Sequence, residues 1–328
     1  MHGKTVFISG ADGFIGSHLC ELLVAQGCNV LAGVYYNSWG SIGWLQDLDD
    51  DVITKIKVVR FDIRDPGGLA YELDDVDFFF NLASLISIPY SYESPKSYFE
   101  TNALGTLNIL EIIRARNPDC LFVQMSTSEV YGSAQYVPID EKHPQVAQSP
   151  YAASKIAADK IVESYAKSFG VKCVIARAFN TYGPRQTSRA VIPTILAKML
   201  RGTEVSIGAL EPKRDFCFVA DTVKGIWNVA NSGAVSGEVI NIGTGRSYSI
   251  REVVHYCSEL TNFSGEVTLD AGKIRPESSE VDHLLCDPTR LTELTGWLST
   301  TDIEEGLAQT ADWISVNIGC FEHVNDYS

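Results

Sequence analysis

A glycine-punctuated turn between an apolar strand and an amphipathic helix, close to the start of the chain, most narrows what this sequence can fold into. Residues 5–9 (TVFIS) form a short β-branched run, followed by Gly10-Ala11-Asp12-Gly13-Phe14-Ile15-Gly16. Apolar residues then recur at 15, 19, 22 and 23 until Gly27 stops the pattern. Glycines at this spacing allow a tight turn and let the backbone approach a pyrophosphate closely. The helix N-terminus adds unpaired N–H groups and a partial positive charge. An ordinary strand-to-helix turn is the competing reading. Position and spacing favour a dinucleotide site built on Gly10, Gly13, Phe14, Ile15 and Gly16.

The rest of the chain supports that choice. Strand-like stretches at 29–34, 57–61, 76–82, 121–126 and 172–176 alternate with helical ones at 67–72, 97–116 and 150–169. Such alternation implies an α/β fold, a doubly wound parallel sheet of the Rossmann kind with helices on both faces. The apolar runs FFFNLA, CLFVQM and CVIARA suit strands buried on both sides. After Ala178 short elements alternate with loops rich in Gly, Pro and Arg. Residues 1–178 are therefore read as the dinucleotide-binding domain, with returns near 215–242. Residues 179–328 are read mainly as a smaller, interleaved α/β substrate lobe.

Charge and composition exclude several partners. The net charge is −15, from 26 basic and 41 acidic residues. A nucleic-acid backbone would find nothing to replace its counterions. No apolar run approaches the roughly 20 residues that span a bilayer, and Met1-His2-Gly3-Lys4 leads straight into a strand, so neither a membrane nor export is expected and the reading is cytoplasmic. The eight cysteines include no CxxC pair, and histidine is scarce. No metal site is expected, and the thiols read as reduced and structural.

The chemistry lies further along, in Ser126-Thr127-Ser128-Glu129-Val130-Tyr131 and then Tyr151-Ala152-Ala153-Ser154-Lys155. Tyr151 and Lys155 are four apart on a helix and share a face. A nearby ammonium, together with the charge of an oxidised nicotinamide, would lower the tyrosine pKa toward working pH. The phenolate could then take an alcohol proton while hydride leaves the same carbon. Thr127, at a strand end, could bind the substrate oxygen. A solvent-facing Tyr and Lys is the bland alternative, made weaker by the upstream STSE and the glycine loop. The stretch where an acid usually binds the adenosine ribose, Leu31 to Ser38, holds neither Asp nor Glu, nor any arginine. NAD and NADP stand nearly even on these residues.

Taken together, GADGFIG, NLAS, the Asn102–Thr106 stretch, STSEVYG, YAASK, FNTYGPRQ and RDFCFV resemble the extended short-chain dehydrogenases/reductases, the NAD-dependent epimerases and dehydratases of nucleotide sugars. YYNSWGSIGWL, LISIPYSYESP, YVPIDEKHP and RPESSEVDHLLCD further resemble the LegB-type 4,6-dehydratases of legionaminic acid biosynthesis. That resemblance implies a nucleotide diphosphate sugar as substrate, specifically GDP-N-acetylglucosamine. It also implies a tightly bound NAD(P)+ regenerated in each turnover, with NAD favoured. Thr127, Tyr151 and Lys155 would be the catalytic triad, and Glu129 the base that removes the carbon 5 proton. Ser128 stands where the dTDP-glucose dehydratases carry an acidic residue, which leaves the acid for the departing hydroxyl open. Asp62 and Ile63 would border the adenine. Leu82, Ala83, Ser84 and Asn102 would join Tyr151 and Lys155 around the cofactor.

In an acidic protein the diphosphate needs local counter-charges. Arg185, Arg189, Arg214 and Arg275 lie in loops beside Gly or Pro, and guanidinium forks suit phosphate oxygens. The resemblance adds Asn180 to Arg214 and Arg275 as sugar-nucleotide contacts. Gly243-Thr244-Gly245 reads as a structural turn. The reaction expected is oxidation at carbon 4, loss of water across carbons 5 and 6, and hydride return at carbon 6. A nucleotide-sugar 4-epimerase, a UDP-glucuronate decarboxylase and a non-catalytic dinucleotide sensor are the alternatives. Helices 97–116 and 150–169 carry apolar residues on more than one face, which predicts a homodimer through a four-helix bundle.

Overall fold

The computed structural model describes residues 2–270, 272, 276 and 279–321. Seven strands form one sheet: β1 (Thr5–Ser9), β2 (Asn29–Tyr35), β3 (Ile56–Phe61), β4 (Phe78–Asn81), β5 (Leu121–Thr127), β6 (Cys173–Ala178) and β7 (Ser236–Ile242). Their order is β7-β6-β5-β4-β1-β2-β3, and every pairing is parallel. The chain winds outward from β1 through β2 and β3, then crosses back to β4 and winds the other way. A crevice opens at this reversal, beyond the C-terminal ends of β1 and β4, where α/β sheets bind their ligands.

Side-chain alternation explains why both faces of the sheet are covered. On β1, Val6 and Ile8 face one core, shared with α1 (Phe14–Ala25), while Phe7 faces the other. There Phe7 stacks on Phe79 at 4.9 Å and Phe79 on Phe122 at 5.8 Å, linking β1, β4 and β5. Over this second face lie α2 (Gly105–Arg116) and α3 (Pro150–Phe169), through Ile109, Leu110, Ile113 and Val162.

Beyond β6 come α4 (Val191–Leu200), α5 (Val219–Ala230), α6 (Ile250–Thr261) and α7 (Ile303–Val316). Three pairs of short strands accompany them. The helix α5 packs back on α1, and β7 closes the sheet from far along the chain. Among the described residues no helix is long and apolar enough to cross a membrane. The cysteines are free thiols, all buried except Cys320.

The elements depart from the sequence reading in two places. The expected helix over 97–116 is instead a short α-turn (Pro95–Tyr98), a π-helix (Phe99–Leu104) and then α2. Gly105 opens α2 against Ile63: a Cβ there would stand 2.9 Å from the Ile63 side chain. Residues Gly67–Glu72 form a 3₁₀ rather than an α-helix. Finally, β7 (Ser236–Ile242) joins the sheet from beyond residue 178, with a bulge at Gly237 (φ +77°) shifting its register against β6.

Candidate active site

A strand end and a helix start bring the expected catalytic residues together. Thr127 is the last residue of β5, and its hydroxyl accepts from the Glu129 N–H (3.3 Å) at the head of the turn Ser128–Tyr131. Ser128, in the same turn, is buried. Ser149 caps α3 by accepting from the Ala152 N–H (3.0 Å), and Pro150 occupies the first helical position. Tyr151 and Lys155 follow one turn apart, both buried. The Thr127 hydroxyl and the Glu129 carboxylate both lie within electrostatic reach of the Tyr151 phenol. Tyr98 packs edge-on against Tyr151, with ring centres 6.2 Å apart.

The electrostatics differ from the expectation in one respect. Burial pushes the Tyr151 phenol well above its ordinary range; the Thr127 hydroxyl opposes this and Glu129 adds to it. Lys155 stands one turn further along the helix. Its ammonium donates to the Met125 carbonyl (2.7 Å) and the Ser84 hydroxyl (3.5 Å). Burial pulls Lys155 down to about 8, against the opposing pull of Asp159.

Asp159 belongs to a buried network that sequence reasoning missed. It lies one turn past Lys155 and accepts from Ser126 Oγ (3.0 Å), Arg177 Nε (3.0 Å) and Arg177 Nη2 (2.8 Å). Arg177, next to the last residue of β6, is only 2% exposed. It also donates to the Tyr131 hydroxyl (3.1 Å), which donates in turn to Asn241 of β7 (2.7 Å). The signal was present in the sequence: an arginine inside an otherwise apolar strand needs a buried acid.

On the cofactor side the glycine loop is shaped for close approach. Gly10 has φ +71°, and a Cβ there would stand 2.9 Å from the Ala83 nitrogen. A Cβ on Gly16 would stand 2.2 Å from the Gly10 carbonyl oxygen. No side chain caps α1, and its first turn carries no acid, so this N-terminus fits a pyrophosphate. Ser9 Oγ donates to Asn81 (2.8 Å) and accepts from the Leu82 and Ala83 N–H groups (3.1 Å each), fixing that backbone beside Gly10. Asn81 continues to Gln124 (2.9 Å) and Thr106 (3.2 Å). Gly13, Phe14, Ile15, Leu82, Ala83 and Ser84 are all partly exposed along this crevice.

Two expected cofactor contacts are engaged otherwise. Asn102 accepts from Ser84 Oγ and the Leu85 N–H (2.9 Å each). It donates to the Leu85 carbonyl (3.0 Å) and Ser154 Oγ (2.9 Å). These four bonds use its whole side-chain capacity, so it clamps the 84–85 backbone to α3 from behind. Asp62 is held by Arg64 through Nε (3.0 Å), Nη2 (2.6 Å) and the backbone N–H (2.9 Å), and Ile63 is buried.

The expected substrate residues divide similarly. Asn180 Oδ1 is buried without a hydrogen-bond partner among the described residues, leaving an acceptor unsatisfied. Arg189 is exposed, and its charge reaches Tyr98. Arg185 does not face the crevice. It takes a left-handed backbone (φ 65°) and binds Glu21 of α1 with two nitrogens (2.7 and 3.0 Å), so its charge is already matched. Arg214 is buried against Glu280 (3.2 Å). Arg275 lies outside the described residues. The 243–245 turn is held by Asp215, which accepts from the N–H groups of Thr244 (2.8 Å), Gly245 (2.9 Å) and Cys286 (3.2 Å).

The Arg177–Asp159 pair yields a test that needs no substrate. Arg177→Met leaves Asp159 buried without its cation, and should cost about 3–5 kcal/mol of stability. Adding Asp159→Leu should recover most of that loss. Urea unfolding followed by circular dichroism checks both; a single variant as stable as the wild type would contradict the ion-pair account.

Residues 7–310 match the family described as GDP-mannose 4,6 dehydratase. A dTDP-glucose 4,6-dehydratase of Xanthomonas campestris pv. campestris is 29% identical over 340 residues, covering 95% of this chain and 93% of that protein. The structure of a dTDP-glucose 4,6-dehydratase from Streptomyces venezuelae, with NAD bound, superposes with a TM-score of 0.85 at 27% identity, covering 98% of this chain and 100% of that one. A UDP-N-acetylglucosamine 4-epimerase from Methanobrevibacter ruminantium M1 gives a TM-score of 0.85 at 28% identity, covering 97% and 100%. The chain belongs to the GDP-mannose 4,6-dehydratase family, within the NAD-dependent epimerases and dehydratases of the extended short-chain dehydrogenase/reductase type.

Proposed function

We propose that this chain is a nucleotide-sugar 4,6-dehydratase, with residues 1–178 holding NAD and residues 179–328 mainly holding the sugar nucleotide. The observation that carries this reading is Glu129, a carboxylate two residues from Thr127 and within electrostatic reach of Tyr151. A 4-epimerase shares Thr127, Tyr151 and Lys155 but needs no base at that position. The likeness to a 4-epimerase of known structure keeps that reading as the alternative.

Gly10, Gly13, Gly16 and the first turn of α1 would hold the pyrophosphate. Bound NAD supplies the two-electron acceptor at carbon 4, returns the electrons at carbon 6, and brings the positive charge that offsets the burial of Tyr151. Thr127 orients the carbon 4 hydroxyl, and Tyr151 takes its proton. The resulting ketone acidifies the proton on carbon 5, which Glu129 removes. Ser128 offers no acid, so Glu129, now protonated, is the group on that turn able to pass the proton to the hydroxyl leaving carbon 6; carbon 5 would then be reprotonated by a proton drawn from solvent as the electrons return to carbon 6. Arg189, Arg214 and Asn180 are the groups we assign to the sugar nucleotide. Resemblance favours GDP-N-acetylglucosamine, for a legionaminic acid-type sugar.

Glu129→Gln separates the two readings. It should still permit oxidation at carbon 4 but stall water loss, so that absorbance of reduced nicotinamide builds up during turnover. Tyr151→Phe should instead abolish both steps, by orders of magnitude. Undiminished dehydration in Glu129→Gln would exclude that residue as the base.

We also infer a homodimer through α2 and α3. Leu104, just before α2, is half exposed, and Leu107, Ile112, Ala157 and Ile161 are partly exposed along the two helices. Light scattering should give twice the chain mass of 36.0 kDa, and Ala157→Arg should reduce it to one chain. A wild-type monomer, or a dimer indifferent to that change, would contradict this interface.

A further inference from the structure

The strand β2 runs into Tyr35-Tyr36-Asn37 without a carboxylate, although the end of this strand is where dinucleotide folds usually hold the adenosine ribose hydroxyls. A carboxylate reaches the same place from the glycine loop. The Ala11 N–H donates to the Gly33 carbonyl (3.1 Å) and ties the loop to β2. The next residue, Asp12, therefore stands beside the end of the strand, with the Tyr35 backbone N–H and Arg60 within electrostatic reach of its carboxylate. The segment after β2 folds back over this side chain. The Trp44 N–H donates to the Asp12 carbonyl (3.0 Å). Gly43, with φ +57°, comes so close that a Cβ there would stand 2.8 Å from Asp12 Cβ. Asp12 is thus partly buried at the ribose end of the crevice, and burial pushes its carboxyl above the usual range against the pull of two backbone N–H groups and Arg60.

The other charged groups at this edge are already paired. Asp62 is held by Arg64, which also reaches the Tyr35 hydroxyl (3.2 Å). Arg60 donates to the Gly40 (2.7 Å) and Ser41 (3.2 Å) carbonyls. Neither arginine stands free to receive a phosphate. We infer that Asp12 takes the place of the missing β2 carboxylate, accepting the adenosine ribose hydroxyls and selecting NAD against a 2′-phosphorylated dinucleotide. A 2′-phosphate would bring its charge against a partly desolvated carboxylate, where like charges repel more strongly than in water. This rests on reading the crevice as a dinucleotide site, and not on the dehydratase reaction.

Calorimetric titration of the full chain, stripped of nucleotide, with NAD and with NADP tests the assignment. The wild type should bind NAD at least about tenfold more tightly. Asp12→Asn should narrow that ratio by about tenfold, by weakening NAD and tightening NADP. Asp12→Ser provides a second variant should the first fail to fold, and should move the ratio the same way. A wild type that prefers NADP, or a ratio unchanged in the folded variants, overturns the inference. Binding of neither dinucleotide overturns it together with the crevice reading. NAD preference that depends on Asp12, in a protein that dehydrates no sugar nucleotide, sinks the dehydratase proposal and upholds this one.

Discussion

Asp159 and Arg177 meet in a part of the core that water barely reaches, with side chains 0% and 2% exposed. Two charges there attract strongly, but each has also lost its hydration, and the two effects largely offset. The pair therefore adds little net stability. What it provides is position, because neither charge can leave without exposing the other to an apolar surrounding. Asp159 is two turns beyond Tyr151 and one beyond Lys155 on α3. The same carboxylate binds Ser126, the residue before Thr127. One buried group thus fixes the catalytic helix against the ends of β5 and β6, and through Tyr131 and Asn241 the network extends to β7.

A second, uncharged network does the same on the other side of the crevice. Ser9, Asn81, Gln124 and Thr106 link the ends of β1, β4 and β5 to α2. Asn102 then fastens the 84–85 backbone to α3. The crevice lies between two hydrogen-bonded polar networks, which suits a site whose reacting atoms must be held closely. The net charge of −15 repels anions at long range. Locally the uncapped α1 N-terminus, with no acid in its first turn, presents the opposite sign.

Much of this was legible in the chain, for a physical reason. The glycine loop, the alternation of strands and helices, and the Tyr151–Lys155 spacing are set by residues near one another in sequence. What failed to show was which charges are already spent. Arg185 looked available until the fold placed Glu21, 164 residues earlier, against it. Arg64 does the same to Asp62. Asn102 sits in a π-helix that the sequence pattern does not announce, and its side chain holds the 84–85 backbone.

The central claim is that Thr127, Glu129 and Tyr151 act on one sugar to remove water between carbons 5 and 6. Mass spectrometry of nucleotide sugars incubated with the purified protein in deuterated water tests it most directly. The account predicts a product one water lighter than its substrate, with solvent deuterium at carbon 5. A product of unchanged heavy-atom composition, inverted at carbon 4 and free of deuterium on carbon, would contradict it and identify an epimerase.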